Sequence, residues 1–348
     1  MTKTAVILFN LGGPDSESAI RPFLKNFFMD KNIIRAPWPV RALVSTLIAN
    51  RRSQREAGTS YGLLGGKSPL LDNTLAQAAA LEQALKSAAP GQEWKIFTVM
   101  RYWHPLAASV AAQVRGWAPD RIMLVPLYPQ YSTTTTRSSL QDWAKACRKT
   151  RLDTPTTTLC CYPFEAGFID ASAQLVKDAY ETALKAGHAK PPRVLFSAHG
   201  LPEKIIADGD PYQWQCEESA KLIAAATGIA DLDWQICYQS RVGPLQWIRP
   251  STEEALKKVA VDQVPVVIYP HAFVSEHVET LVEIEQEYRH LAAELGIPGF
   301  YRVPTVSVEQ RFIDGLARQI IDKAPRGGIV SHQGARICPA GFRRCCQN

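Results

Sequence analysis

No stretch of the 348 residues approaches the ~20 consecutive apolar residues of a membrane span. The opening segment Met1–Gly13 has a short apolar run that ends at Asn10 and shows no small-residue cleavage pattern, so it reads as a strand rather than a signal peptide. A cytoplasmic protein is the expectation. Charge of one sign is also scarce: 39 Lys and Arg stand against 33 Asp and Glu, for a formal charge of +6. No basic run carries interleaved aromatics, which excludes a nucleic-acid partner. The mild positive balance suits anionic small molecules or an anionic membrane surface. Phosphate-loop glycines are missing as well. Tyr61 stands where G-x-x-x-x-G-K-[ST] needs its first glycine, Pro69 interferes with the following helix, and no G-x-G-x-x-G follows the first strand. No nucleotide site is therefore expected. Eight cysteines in a chain expected to be cytoplasmic read as thiols or metal ligands, not disulfides.

What is present is an alternation. Short apolar runs at Ala5–Phe9, Ile96–Met100, Ile122–Leu127, Val194–Phe196, Ile236–Tyr238 and Val264–Tyr269 are separated by amphipathic stretches such as Asp72–Lys86, Ile169–Leu184 and Val308–Ile321. That pattern predicts an α/β architecture with parallel sheets. Three strand ends recur in the same order in both halves. Phe9-Asn10-Leu11-Gly12-Gly13-Pro14 matches Phe196-Ser197-Ala198-His199-Gly200-Leu201-Pro202, and Val125–Ser132 matches Val266–Phe273. Between these sit Met100-Arg101-Tyr102 and Tyr238-Gln239-Ser240-Arg241. Two similar Rossmann-like doubly wound domains follow, the product of a duplication unless the strand ends match by chance. The expected boundaries are residues 1–160 and 161–307, with helix 308–324 packing back on the first domain and a cysteine-containing tail at 325–348.

Ligands of open parallel sheets bind beyond the carboxyl ends of strands. Asn10, Arg101, Tyr131, Ser132, His199, Arg241 and His271 gather at those ends, which predicts an active site in a cleft between the domains. His199 is placed to bind a divalent metal or accept a proton near neutrality; the alternative is a turn histidine bonded to backbone. After Ser275, a plausible N-cap, Glu279, Glu283 and Glu287 fall at four-residue spacing on one helical face. Like charges so spaced cost roughly 0.2–0.5 kcal/mol per pair. They could pass cations or protons to a buried centre, or simply form a solvated face. Residues 38–52 place Val40, Leu43, Val44, Leu47 and Ile48 on one helical stripe flanked by Trp38, Arg41, Arg51 and Arg52. This is a membrane-surface helix, a greasy lip on an apolar pocket, or a core-facing helix.

Seven segments together resemble the ferrochelatase family over about Ala5 to Gln319. They are Asn10–Pro14, Gly65–Pro69, Met100–Tyr102, Leu127–Ser132, Ser197–Pro202, Gln239–Pro244 and Phe273–Leu281. Each is weak alone; their order is specific. The resemblance implies insertion of Fe²⁺ into protoporphyrin IX, with His199 and Glu279 as the catalytic and metal-handling pair. Glu283 and Glu287 would extend a proton or metal path on a helix often locally widened in the family. Asn10, Leu11, Ser68, Arg101, Tyr102, Ser132 and His277 would line the macrocycle or bind its propionates. Some members hold a [2Fe–2S] cluster through one body cysteine and three in a C-terminal extension. Here Thr133 stands at a common body position, while Cys338, Cys345 and Cys346 close the chain. Cys160 and Cys161 are the substitutes for the missing ligand, and a disordered tail with exposed thiols is the preferred reading over a cluster. Two rivals to the ferrochelatase reading remain: a chelatase of the same fold with another metal and tetrapyrrole, and a tetrapyrrole or metal carrier without turnover.

Overall fold

The computed structural model describes residues 1–241 and 245–347. Val242–Pro244 of one family-like segment, and Asn348 of the tail, lie outside the described residues. The strands are β1 Thr2–Asn10, β2 Gln92–Met100, β3 Arg121–Pro126, β4 Thr156–Leu159, β5 Arg193–His199, β6 Trp234–Gln239, β7 Val266–Pro270, β8 Phe300–Arg302 and β9 Gly328–Val330. The α-helices are α1 Glu17–Phe28, α2 Trp38–Gly58, α3 Leu70–Ala88, α4 Ala107–Trp117, α5 Thr136–Thr150, α6 Ala166–Lys185, α7 Glu203–Ala207, α8 Tyr212–Ala226, α9 Thr252–Asp262, α10 Arg289–Glu294 and α11 Gln310–Lys323. A ten-residue π-helix occupies Glu279–Tyr288.

The chain divides into two compact units. The first holds residues 1–161 and 317–337, the second residues 162–316 and 338–346. In the first, all strands run parallel in the order β2-β1-β3-β4-β9. In the second they run parallel as β6-β5-β7-β8. The first four strands of each sheet thus follow one order, which is what repeated strand ends in a duplicated chain require.

Both faces of each sheet are covered, so the central strands read as continuous apolar runs without alternation. Ala5 through Phe9 are at most 1% exposed. Ala5, Ile7 and Phe9 pack with Val110, Ala111 and Val114 of α4 and Trp143 of α5. In the second unit Leu195, Val266 and Ile268 pack with Leu256 and Val259 of α9 and with Ile284 and Tyr288 of the π-helix. Burying each such side chain fully contributes roughly 1.5–3 kcal/mol.

The glycines of Asn10-Leu11-Gly12-Gly13 have a packing reason. Gly12 sits at φ +86°, and a Cβ there would lie 3.1 Å from Met100 Cβ; one on Gly13 would lie 2.5 Å from Ser68 Cβ. Three of the family-like segments are thereby pressed together.

Residues 328–330, expected in a disordered tail, form β9 and pair with Thr157–Leu159. Farther on, Arg344 N–H bonds to the Gly209 carbonyl at 3.0 Å, and Phe342 lies against Trp214. The tail therefore has defined partners, and its disorder is corrected. Ser275 is also not the N-cap: the helix starts after His277, whose N–H bonds to Thr280 Oγ1 at 3.0 Å.

Candidate metal-handling site

His199 is the last residue of β5, one strand from the centre of its exit edge, with Gln239 of β6 beside it in register. Its Nδ1–H donates to the Gly200 carbonyl at 2.6 Å. The proton assigned to Nδ1 leaves the Nε2 lone pair free. That nitrogen lies 3.6 Å from Glu279 Oε1. The gap is too long for a hydrogen bond. Two metal–ligand bonds of about 2.1 Å span it at an angle of about 120°. Both groups are about one-third exposed or less, at 34% and 26%, so a cation could reach them.

The other carboxylate oxygen of Glu279 receives His277 Nε2 at 3.2 Å. His277 is buried, with its ring 4.7 Å from Phe273. It thus orients Glu279 as a neighbouring imidazole orients a metal-binding carboxylate.

One turn on, Glu283 is held by four donors. Oε1 accepts the Ser240 N–H at 2.8 Å and the Tyr288 hydroxyl at 2.9 Å. Oε2 accepts the Ser240 hydroxyl at 2.5 Å and Gln239 Nε2 at 3.1 Å. Ser240 adopts φ +63°, a left-handed conformation that costs a non-glycine residue energy and recurs at functional sites. Gln239 also donates to the Glu279 backbone carbonyl at 3.1 Å, and its own carbonyl accepts the Ser197 hydroxyl at 2.9 Å. Burial pushes the Glu283 carboxyl above its usual range, the negative charge of Glu279 adds to that, and the Ser240 and Tyr288 hydrogen bonds oppose it. Glu287 is exposed. The acidic line therefore runs from two half-buried carboxylates to an exposed one.

The outer side of this helix is pinned by Arg302 of β8. It pairs with Glu276 at 2.9 Å and with Glu285 at 3.0 Å. Glu276, whose charge could have been ascribed to a helix N-terminus, is an ion-pair partner.

In the first unit the expected macrocycle-lining residues meet a different set of partners. Arg101 NH2 lies 3.0 Å from Asp30 Oδ2, and the Tyr102 hydroxyl donates to the same oxygen at 2.8 Å. Ser138 donates to it too, and itself accepts Arg101 Nε at 2.7 Å. For Asp30, burial raises the carboxyl pKa, but Arg101 and the hydrogen bonds outweigh it and hold the carboxyl below its usual range. Tyr102 is 1% exposed and its hydroxyl is pushed well up by burial. Asn10 donates to Thr74 Oγ1 at 2.9 Å and accepts Leu11 N–H at 2.8 Å. Ser132, 1% exposed, bonds to Thr134 within its own turn. Ser68 takes the Leu70 N–H at 3.3 Å. Leu11 is half-buried.

His271, counted among the polar strand ends, is fully buried. Its Nε2 meets Ser219 Oγ and the Cys216 carbonyl, each at 2.9 Å. Burial lowers its pKa to about 4, so it is a neutral structural group. Cys338 and Cys345 are buried at 5%, not exposed, and Gln215 Nε2 lies 3.2 Å from Cys338 Sγ. Cys346 is half-buried. Cys160 and Cys161 follow β4, with sulfurs 3.5 Å apart. Among the described residues, no three His, Cys, Asp or Glu side chains are grouped to hold an ion.

On α2 the apolar stripe is mostly turned outward: Val40, Leu43 and Leu47, with the flanking Trp38, are 51–66% exposed, while Val44 and Ile48 are half-buried. The buried positions are Ser45 and Ala49, on the side that meets α1. Among the described residues no helix is long and apolar enough to cross a membrane.

Asp30, Ser138, Gln239, Tyr288 and Arg302 had no assigned role in the sequence reading. The last two carried a signal only in retrospect: Tyr288 follows Glu283 by five residues, and Arg302 faces a run of acids.

The family model for ferrochelatase matches residues 3–324. A ferrochelatase of Caulobacter vibrioides is 49% identical over 346 residues, covering 99% of this chain and 97% of that protein. One from Phenylobacterium zucineum is 47% identical over 99% of this chain and 98% of its own length. Among solved structures, SirB from Bacillus subtilis with Fe³⁺ is similar with a TM-score of 0.52 at 13% identity, over 93% of this chain and 96% of that one. At that identity the likeness speaks for the two-domain fold.

Proposed function

The chain belongs to the ferrochelatase family, and on that premise we propose that His199 and Glu279 carry the metal- and proton-handling steps of the reaction. The enzyme is a porphyrin metal chelatase, a lyase. It inserts Fe²⁺ into protoporphyrin IX, forming protohaem and releasing two protons at the terminal step of haem biosynthesis. The supporting observation is the pair of lone-pair donors, His199 Nε2 at the exit of β5 and Glu279 Oε1 at the start of the π-helix, 3.6 Å apart.

Metallation has to strip a hydrated cation and remove two pyrrole protons. The neutral His199 Nε2 accepts a proton, and Glu279, steadied by His277, neutralises and passes the metal. Once protonated, His199 is stabilised by the Glu279 charge. Glu283 receives the next cation, and the exposed Glu287 exchanges it with solvent. Of the residues proposed to meet the macrocycle, Arg101 and Leu11 retain exposed surface. Asn10, Ser68, Tyr102 and Ser132 would act by shaping the strand exits, and His277 by orienting Glu279.

For localisation, we read a cytoplasmic enzyme with peripheral membrane contact through residues 38–52. The exposed stripe Trp38, Val40, Leu43 and Leu47 supports that reading, and an apolar porphyrin arriving from lipid would enter past it. As they stand, the described cysteines do not form a metal-holding group, and no step is routed through a [2Fe–2S] cluster. The functional test is continuous loss of porphyrin fluorescence on adding Fe²⁺ anaerobically. Turnover separates an enzyme from a carrier, and competition among metals and porphyrins separates this chelatase from one with another substrate pair.

A further inference from the structure

Tyr288 closes the π-helix, and its hydroxyl donates to Glu283 Oε1 at 2.9 Å. The two residues are five apart. In an α-helix, at about 100° per residue, positions i and i+5 point some 140° away from each other and their side chains do not meet. A π-helix bonds i to i+5, so its turn is wider by one residue and brings i and i+5 onto nearly the same side. A side-chain bond between Glu283 and Tyr288 is therefore possible in the π register and lost in the α register.

We propose that Tyr288 is a positioning residue: its bond to Glu283 locks the wide turn and thereby keeps Glu279 and Glu283 aligned along the metal path. This rests on the reading that Glu283 serves the reaction. Three further observations carry it. The Tyr288 ring is 4% exposed and packed with Leu195, Leu256, Val259 and Ile284, so the hydroxyl is delivered from a fixed base. Burial and the nearby Glu283 charge keep that hydroxyl protonated, and so always able to donate. The remaining donors to Glu283, Ser240 and Gln239, come from the end of β6 and just beyond it, so they fix the carboxylate in space but say nothing about helical register. Among the described donors to the Glu283 carboxylate, Tyr288 alone comes from the same helix.

The α register is the commoner helical geometry, and the ten-residue π-helix is a rare departure from it. The chain resumes as α10 directly after Tyr288. Loss of the lock would let the ladder slip by one residue, rotating Glu279 relative to His199 while leaving the outer ion pairs of Arg302 to hold the helix on the sheet.

Tyr288→Phe keeps the ring and removes the hydroxyl. In the full-length enzyme, kcat is expected to fall about tenfold, as for one lost hydrogen bond to a carboxylate. The KM for Fe²⁺ should rise, and porphyrin affinity measured by fluorescence quenching without metal should stay within twofold. Amides 284–289 should also exchange hydrogen faster than in the parent. A double variant with Glu283→Ala should be little worse than Glu283→Ala alone, because Glu283→Ala already removes the acceptor of the Tyr288 hydroxyl. If Glu283→Gln slows turnover and Tyr288→Phe changes neither kcat, the Fe²⁺ KM nor amide exchange, the lock is refuted. If Glu283→Gln itself turns over normally, the path through Glu283 fails instead. A Tyr288→Phe loss that is equal in the Glu283→Ala background would show an effect not exerted through Glu283 and would also overturn the proposal.

Discussion

Replacing Glu279 by Gln removes one charge while keeping an oxygen for His277 to bond. The size of the effect follows from the 3.6 Å separation of His199 Nε2 and Glu279 Oε1. When His199 takes a pyrrole proton, its charge is stabilised by Glu279 by about 4–5 kcal/mol at an effective dielectric near 20. Both side chains are partly exposed, and solvent screening reduces that to roughly 2–3 kcal/mol. At about 1.4 kcal/mol per tenfold, turnover should fall on the order of a hundredfold. The assay is anaerobic porphyrin fluorescence decay with Fe²⁺ at saturating porphyrin, with circular dichroism to show that the fold is retained. A kcat within threefold of the parent would refute the reasoning. So would a loss found entirely in the porphyrin KM, because that would make Glu279 a binding group and not a partner of developing charge.

Three further outcomes are expected. Glu287→Gln, at the exposed end of the acidic line, should slow turnover far less than Glu279→Gln; equal damage would remove the gradient. Leu43→Gln with Leu47→Gln should reduce liposome binding and raise the porphyrin KM with no change in melting temperature, since both side chains are more than half exposed; unchanged binding would make the stripe of α2 an ordinary surface. His271 has its pKa lowered from 6.5 to about 4, so on acidification the unfolded chain takes that proton first. Its contribution to stability is complete above pH 6.5 and is lost as pH falls towards 4, by about 3 kcal/mol. His271→Gln should flatten this part of a denaturation profile measured against pH, and an unaltered slope would show that His271 is not responsible.

The six strands with apolar runs were legible because buried parallel strands need no alternation. β8 and β9 were not, being three residues each at sheet edges, and β4 is three threonines and a leucine. Their place is set by the neighbours they pair with. His199 and Glu279 could be singled out because a strand exit and a repeating acidic spacing are local signals. The donors on Glu283 could not, since Gln239 and Ser240 reach it across more than forty positions of chain. Asp30 was invisible for the same reason: Arg101, Tyr102 and Ser138, which meet its Oδ2, lie 71 or more positions away. Ser275 carried the right residue type for a cap, but the wide turn and the Thr280 side chain shifted the start of the helix beyond it.

β9 also bears on how the protein emerges from the ribosome. The first sheet is finished by residues 328–330, yet β4, the strand they cover, is complete by Leu159. Roughly 170 residues must be synthesised in between, which at 5–20 residues per second takes about 10–30 s. Throughout that interval the nascent first unit shows an open β-edge, a template for pairing with another chain. Residues 162–316, the main part of the second unit, are made within this window. Protection of the first sheet is thus deferred until residues 328–330 emerge, and a chain stalled or clipped before residue 328 would carry a complete second sheet and a first one still exposed at its border.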